Sequence, residues 1–163
     1  MASLRFERAI RALVNAYLTD TLAKGSTCAC FVGNMIAAAT KRKVQKYDLY
    51  FTWSEGVSWW EEVFATHSNG FQSVRPHLYE GRAKKQIDST GYSWQELARV
   101  EKAFERATTI WYNDYPHCTP EQIDADQYAG LVAGFNILCE IEGIADSAPY
   151  VALLDKSAPL IHP

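Results

Sequence analysis

The sequence has no long hydrophobic run and few cysteines. No apolar stretch approaches the roughly 20 residues that a membrane-spanning helix needs, and Arg5, Arg8 and Arg11 occupy the N-terminus, where a signal peptide has an apolar segment. We therefore expect a cytoplasmic protein with no membrane association. The four cysteines among 163 residues are expected to be reduced thiols or metal ligands rather than disulfides, because no secretory signal precedes them.

Lysine and arginine are absent between Arg106 and Lys156, an interval that contains eight acidic residues. The C-terminal third is therefore acidic, although the net charge of the whole chain is only -3. Basic residues cluster instead at residues 41–46 and 75–85. Opposed charge patches of this kind can steer a charged partner, or they can neutralise each other within the fold.

The familiar motifs of hydrolases and nucleotide enzymes are also absent, since no HExxH, GxSxG, phosphate-loop or GxGxxG pattern occurs. His117 and Cys118 are adjacent, but neighbours in sequence rarely have the geometry of a nucleophile and its base. Spacing alone assigns no acid to them. We therefore assign no catalytic residue and expect a protein that is not an enzyme.

What the sequence does contain is strong helix signals, in a composition of 48% apolar and 21% charged residues that is ordinary for a globular domain. Apolar residues recur at three- and four-residue intervals over residues 3–24, which predicts the first helix. Gly25 is expected to end this helix. Thr27 is expected to cap a second, alanine-rich helix at about residues 28–40. The two helices would then form an antiparallel hairpin joined by a very short turn.

Two later helices have capping signals in their own sequences. Ser93 and Glu96 form a capping box before one helix, and Thr119 begins a segment with an N1 proline and a capping-box glutamine before the next. Gly143 is expected to end the second of these helices. Gly130 and Gly134 lie inside it, and each internal glycine costs on the order of 1 kcal/mol relative to alanine. This predicts that another helix, most simply helix two, comes close there.

An aromatic-rich connection at residues 44–92 links the two halves of the chain. Seven aromatic residues fall within residues 47–64, a capping box at Ser58 predicts a short helix from residue 59 to about 66, and a helical turn is predicted at about residues 81–88. The tail at residues 145–163 contains three prolines and is predicted to lie extended. We predict one all-α domain over residues 1–163, a bundle of four main helices plus a short helix, with an irregular connection.

Cys28 and Cys30 stand at the predicted start of helix two. Thiolates at a helix N-terminus are stabilised by the helix dipole and can bind zinc. Residues two apart on a helix point about 200° away from each other, so the pair can share a metal only if Cys28 stays in the preceding turn. The alternative is that both are small residues buried in an alanine-rich core. We expect no cofactor unless this pair holds zinc.

The basic run Lys41, Arg42 and Lys43 follows helix two, where positive charge also favours the helix C-terminus. Basic residues followed by aromatic ones can bind nucleic acid, but the acidic net charge of the chain disfavours that partner. Aromatic side chains of this kind also fill cores or form surfaces for proteins and small molecules. We therefore expect a protein partner, with a small molecule as the alternative.

Three segments together resemble known proteins: Ala16-Tyr17-Leu18 with the Lys24-Gly25 turn, the Val32-Gly33-Asn34 helix, and Ser89-Thr90-Gly91-Tyr92-Ser93 opening a later helix. The combination spans most of the chain and resembles small uncharacterised proteins of bacteriophages and prophage regions. Those proteins have no activity to transfer, so no residue inherits a role. The resemblance implies a bacterial or phage-infected host cell and a phage accessory or anti-defence factor that binds a host component.

Three functional hypotheses follow. The first is a non-enzymatic binding protein that acts through the surface of residues 41–85 or through the acidic C-terminal helix. The second is a small-molecule or nucleotide binder, with a pocket lined by Trp53, Trp59, His77, Tyr79 and Arg82. The third is a metal-binding protein that depends on Cys28 and Cys30.

Overall fold

A computed structural model describes residues 1–24, 30–40, 66–67, 70–71 and 81–157 of the chain. These residues form a helical fold whose elements, in chain order, are α1 (Leu4–Leu18), α2 (Phe31–Ala39), β1 (Thr66–His67), β2 (Gly70–Phe71), α3 (Gly81–Thr90), α4 (Trp94–Ala107), a 3₁₀ helix (Tyr112–His117), α5 (Pro120–Glu142) and α6 (Ala148–Val151). Among the described residues, the two short strands pair only with each other, in antiparallel register. The predicted all-α fold is confirmed.

The core lies where α4 and α5 pack together and α1 and α2 cover them. Four phenylalanines from these four helices are fully buried: Phe6, Phe31, Phe104 and Phe135. The ring of Phe31 lies 5.8 Å from that of Phe104 and 6.3 Å from that of Phe135, between centroids. Helix α2 is thus enclosed by its neighbours, and every residue from 31 to 37 is buried. None of the described helices is long and apolar enough to cross a membrane.

The two capping boxes predicted from the sequence are both present. The Ser93 hydroxyl accepts from the backbone N–H of Glu96, whose carboxylate accepts from the N–H of Ser93. Thr119 and Gln122 make the same reciprocal pair before α5. Gly143 then ends α5 with a left-handed φ of 69°, as predicted.

The predicted boundaries of the first two helices were wrong. Helix α1 ends at Leu18 rather than Lys24, and its buried stripe stops because the next positions on that face, Asp20 and Thr21, are polar. Asp20 has a φ of 57° and turns the chain away. Helix α2 begins at Phe31 with Cys30 as its N-cap, not after Thr27. The two helices do pack together, and residues 19–30 separate them in the sequence.

The close approach predicted at the α5 glycines is real, and it involves two helices. A Cβ atom on Gly134 would lie 2.2 Å from Cε2 of Phe31, which belongs to α2. A Cβ on Gly130 would instead lie 2.4 Å from Cγ2 of Thr108, just after α4. Glycine at each position is therefore explained by a neighbour that occupies the space of a side chain.

The remaining predictions fall on the connection and the tail. The helical turn predicted at residues 81–88 is the full helix α3, whereas residues 59–65 of the predicted short helix lie outside the described residues and Thr66 belongs to β1. The tail was predicted to be extended, but Ala148–Val151 form the short helix α6. Backbone bonds continue this turn to Leu154, because Val151 O accepts from the N–H of Leu154.

Candidate functional site

Most of the residues proposed from the sequence as binding residues lie outside the described part of the chain: Lys41, Arg42, Lys43, Trp53, Trp59, His77, Tyr79 and Cys28. Arg82 belongs to helix α3. Cys30 lies within the described residues. The pocket and metal hypotheses therefore stay predictions, and the described geometry bears on them only through Cys30.

Cys30 is a buried N-cap of α2. Its Sγ accepts a hydrogen bond from the backbone N–H of Gly33 at 3.3 Å, and its carbonyl oxygen accepts from the side-chain amide of Asn34 at 2.9 Å. The first of these bonds satisfies the backbone N–H that the side chain of an N-cap serine or threonine would normally satisfy. The side chain is only 4% exposed. Cys30 thus has a definite structural role in starting the helix.

Glu101 completes the cap from another helix. It lies on α4 with no exposed surface, and its Oε2 accepts from the backbone N–H of Val32 at 2.7 Å. Its Oε1 has no hydrogen-bond partner among the described residues. Burial and the nearby Glu105 carboxylate raise the pKa of Glu101 to about 8, although the hydrogen bond from Val32 acts in the opposite direction.

The same surroundings affect the thiol. Burial, followed by the charge of Glu101, raises the pKa of Cys30 well above its ordinary value. Zinc binds the thiolate, so this environment favours the form of Cys30 that does not bind metal. Within the described ranges, no group of three or more His, Cys, Asp or Glu side chains is arranged to hold a metal ion.

Lys24 fixes the chain ahead of α2 to the end of α4. Its buried Nζ donates to the carbonyl oxygens of Glu105 at 2.9 Å and Thr108 at 2.6 Å, and it lies 4.5 Å from the centre of the Trp111 ring. A lysine at this position satisfies C-terminal carbonyls of α4 and complements the helix dipole. Both the segment before α2 and the first turn of α2 are therefore held by α4.

The other end of α2 leads to the basic run. The helix is buried up to Ala37 and becomes half-buried at residues 38–40, where Thr40 caps its C-terminus. Helix α3, whose first turns contain Arg82, Lys84 and Lys85, packs against α2, and β2 packs against α4. Residues 41–80 therefore connect two helices that pack against each other, and basic residues stand near both ends of this connection.

The acidic C-terminal helix was the second surface predicted from the sequence, but several of its carboxylates hold the fold together. Asp126 accepts from the backbone N–H groups of Thr109 and Ile110, at 2.8 and 2.9 Å. Asp124 pairs with Lys156 at 2.6 Å. Glu142 accepts from the Ser3 hydroxyl at 2.7 Å and from the guanidinium of Arg5 at 2.6 Å. Charge reversal at Asp124 or Asp126 would therefore disturb folding as well as any binding.

Glu101 was not predicted to be a functional residue, although its position in the sequence indicated that it is unusual. It interrupts the apolar stripe of α4, since Leu97 and Phe104 stand four residues before it and three residues after it. A carboxylate on the apolar face of a helix is rarely fully buried unless it has a partner. That position alone indicated a buried polar contact.

No protein-family model, curated protein or solved structure matches this chain.

Proposed function

We propose that the chain is a non-enzymatic binding protein, a phage accessory or anti-defence factor, that presents residues 41–85 to a protein of the host. The observation that carries this proposal is the anchoring of the long connection, which leaves from α2 and returns through α3, two helices that pack against each other. Lys41, Arg42 and Lys43 come directly after the Thr40 cap, and Arg82 lies in the returning helix.

The position of this connection supports a functional role. Binding residues are often found on connections that a rigid scaffold positions. Here the scaffold is the bundle of α1, α2, α4 and α5, whose core contains fully buried phenylalanines from each helix.

The charge and the aromatic content of residues 41–85 indicate which kind of partner would bind. Aromatic residues and arginine are enriched in protein interfaces, and complementary charge steers association. A surface with basic residues at both ends of an aromatic segment fits an acidic protein surface that also offers apolar contact area. A host protein with such a surface is the partner that we propose.

A tagged copy of the protein, expressed in a bacterial host, tests this proposal. We expect it to retain one host protein in a stoichiometric ratio, and the purified pair to re-form in vitro. The variant with Lys41→Glu, Arg42→Glu and Lys43→Glu should lose the partner while keeping the circular dichroism spectrum and the unfolding midpoint of the wild type.

The matched control is Arg106→Glu, which reverses an exposed positive charge on α4, far along the chain from the basic run. It should retain the partner. Retention that both variants leave unchanged, or that both abolish, would contradict the proposed surface.

A further inference from the structure

We draw no further inference here: the strongest candidate, the buried pair of Cys30 and Glu101 where α4 caps the start of α2, belongs to the site already described, and beyond that cap it rests only on the raised pKa of Glu101.

Discussion

Helices α2 and α5 begin in opposite ways. The start of α5 is exposed and is capped by its own neighbours, Thr119 and Gln122. The start of α2 is buried and is capped by Cys30 together with Glu101, which lies 69 residues further along the chain than Val32. A helix at the surface can rely on local side chains and water, whereas a helix enclosed by others depends on whatever group the neighbouring helix provides.

The difference has an energetic consequence. The side chains that cap α5 are exposed, so capping there costs little desolvation. The cap of α2 places a carboxyl group in the core with only one of its oxygens hydrogen-bonded to a described residue. Burying an ionised carboxylate is costly unless it is paired and hydrogen-bonded. The stability of the protein should therefore depend on the protonation of Glu101, and not on any group at the start of α5.

The largest predicted effect is a pH dependence that comes from Glu101. Its pKa is raised to about 8 in the folded protein from 4.5, so the folded state keeps a proton that the unfolded chain releases. The stabilisation from this proton is complete below pH 4.5 and is lost as pH rises through 8, with a slope of up to about 1.4 kcal/mol per pH unit.

Glu101→Gln isolates this effect. The glutamine amide oxygen can still accept from the backbone N–H of Val32, but the glutamine side chain cannot ionise. Urea unfolding at pH 5, 6, 7 and 8 should show the variant gaining stability relative to wild type at each step. Other acidic groups, such as Glu142 with its lowered pKa, contribute equally to both proteins. A constant difference across this range would show that Glu101 titrates in the ordinary way.

The next effect concerns the place where α2 and α5 touch. Gly134→Ala would put a Cβ atom 2.2 Å from Cε2 of Phe31, a fully buried ring with aromatic neighbours on two sides. We expect a loss of about 2 kcal/mol in the free energy of unfolding, since overpacking a core outweighs the better helix propensity of alanine. In a Phe31→Leu background the same change should cost much less. Equal losses in both backgrounds would mean that the ring is not the obstacle.

Structural features that depend on residues close together in the sequence could be predicted, whereas features that depend on contacts between distant residues could not. The capping boxes, the stop at Gly143 and the contact of Gly134 with helix two all follow from residues a few positions apart or from an unfavourable glycine. The start of α2 was misplaced because its cap depends on Glu101 in α4. Helix α1 was predicted too long because Gly25 was expected to end it, although the periodic apolar residues stop at Leu18.

The same limit applied to the candidate sites. The acidic interval was visible in the sequence, but which carboxylates are used inside the fold was not, because their partners are far along the chain: Arg5 for Glu142, and Lys156 for Asp124.

Thr119→Ala tests the start of α5, the helix that is capped by its own neighbouring residues. Removing the hydroxyl that accepts from the N–H of Gln122 should cost about 1 kcal/mol of stability, the usual value for an N-cap. The loss should be the same at pH 5 and pH 8, because no ionisable group takes part in this cap. Thermal or urea unfolding at the two pH values measures it. A loss that changed with pH would remove the distinction between the two helix starts.

The smallest effect belongs to the two ion pairs of Lys156, which join residues 147–156 to Asp20 after α1 and to Asp124 in α5. Lys156→Met removes the contacts to Asp20 and Asp124, and we expect a loss below about 1 kcal/mol, because exposed pairs are weak and screened. The loss should shrink in 1 M NaCl. Arg99→Met, which breaks the more exposed pair with Glu140, is the control and should have almost no effect. The Lys156 ammonium also lies 4.5 Å from the centre of the Tyr17 ring. A loss that high salt left unchanged would therefore be assigned to this ring contact rather than to the two ion pairs.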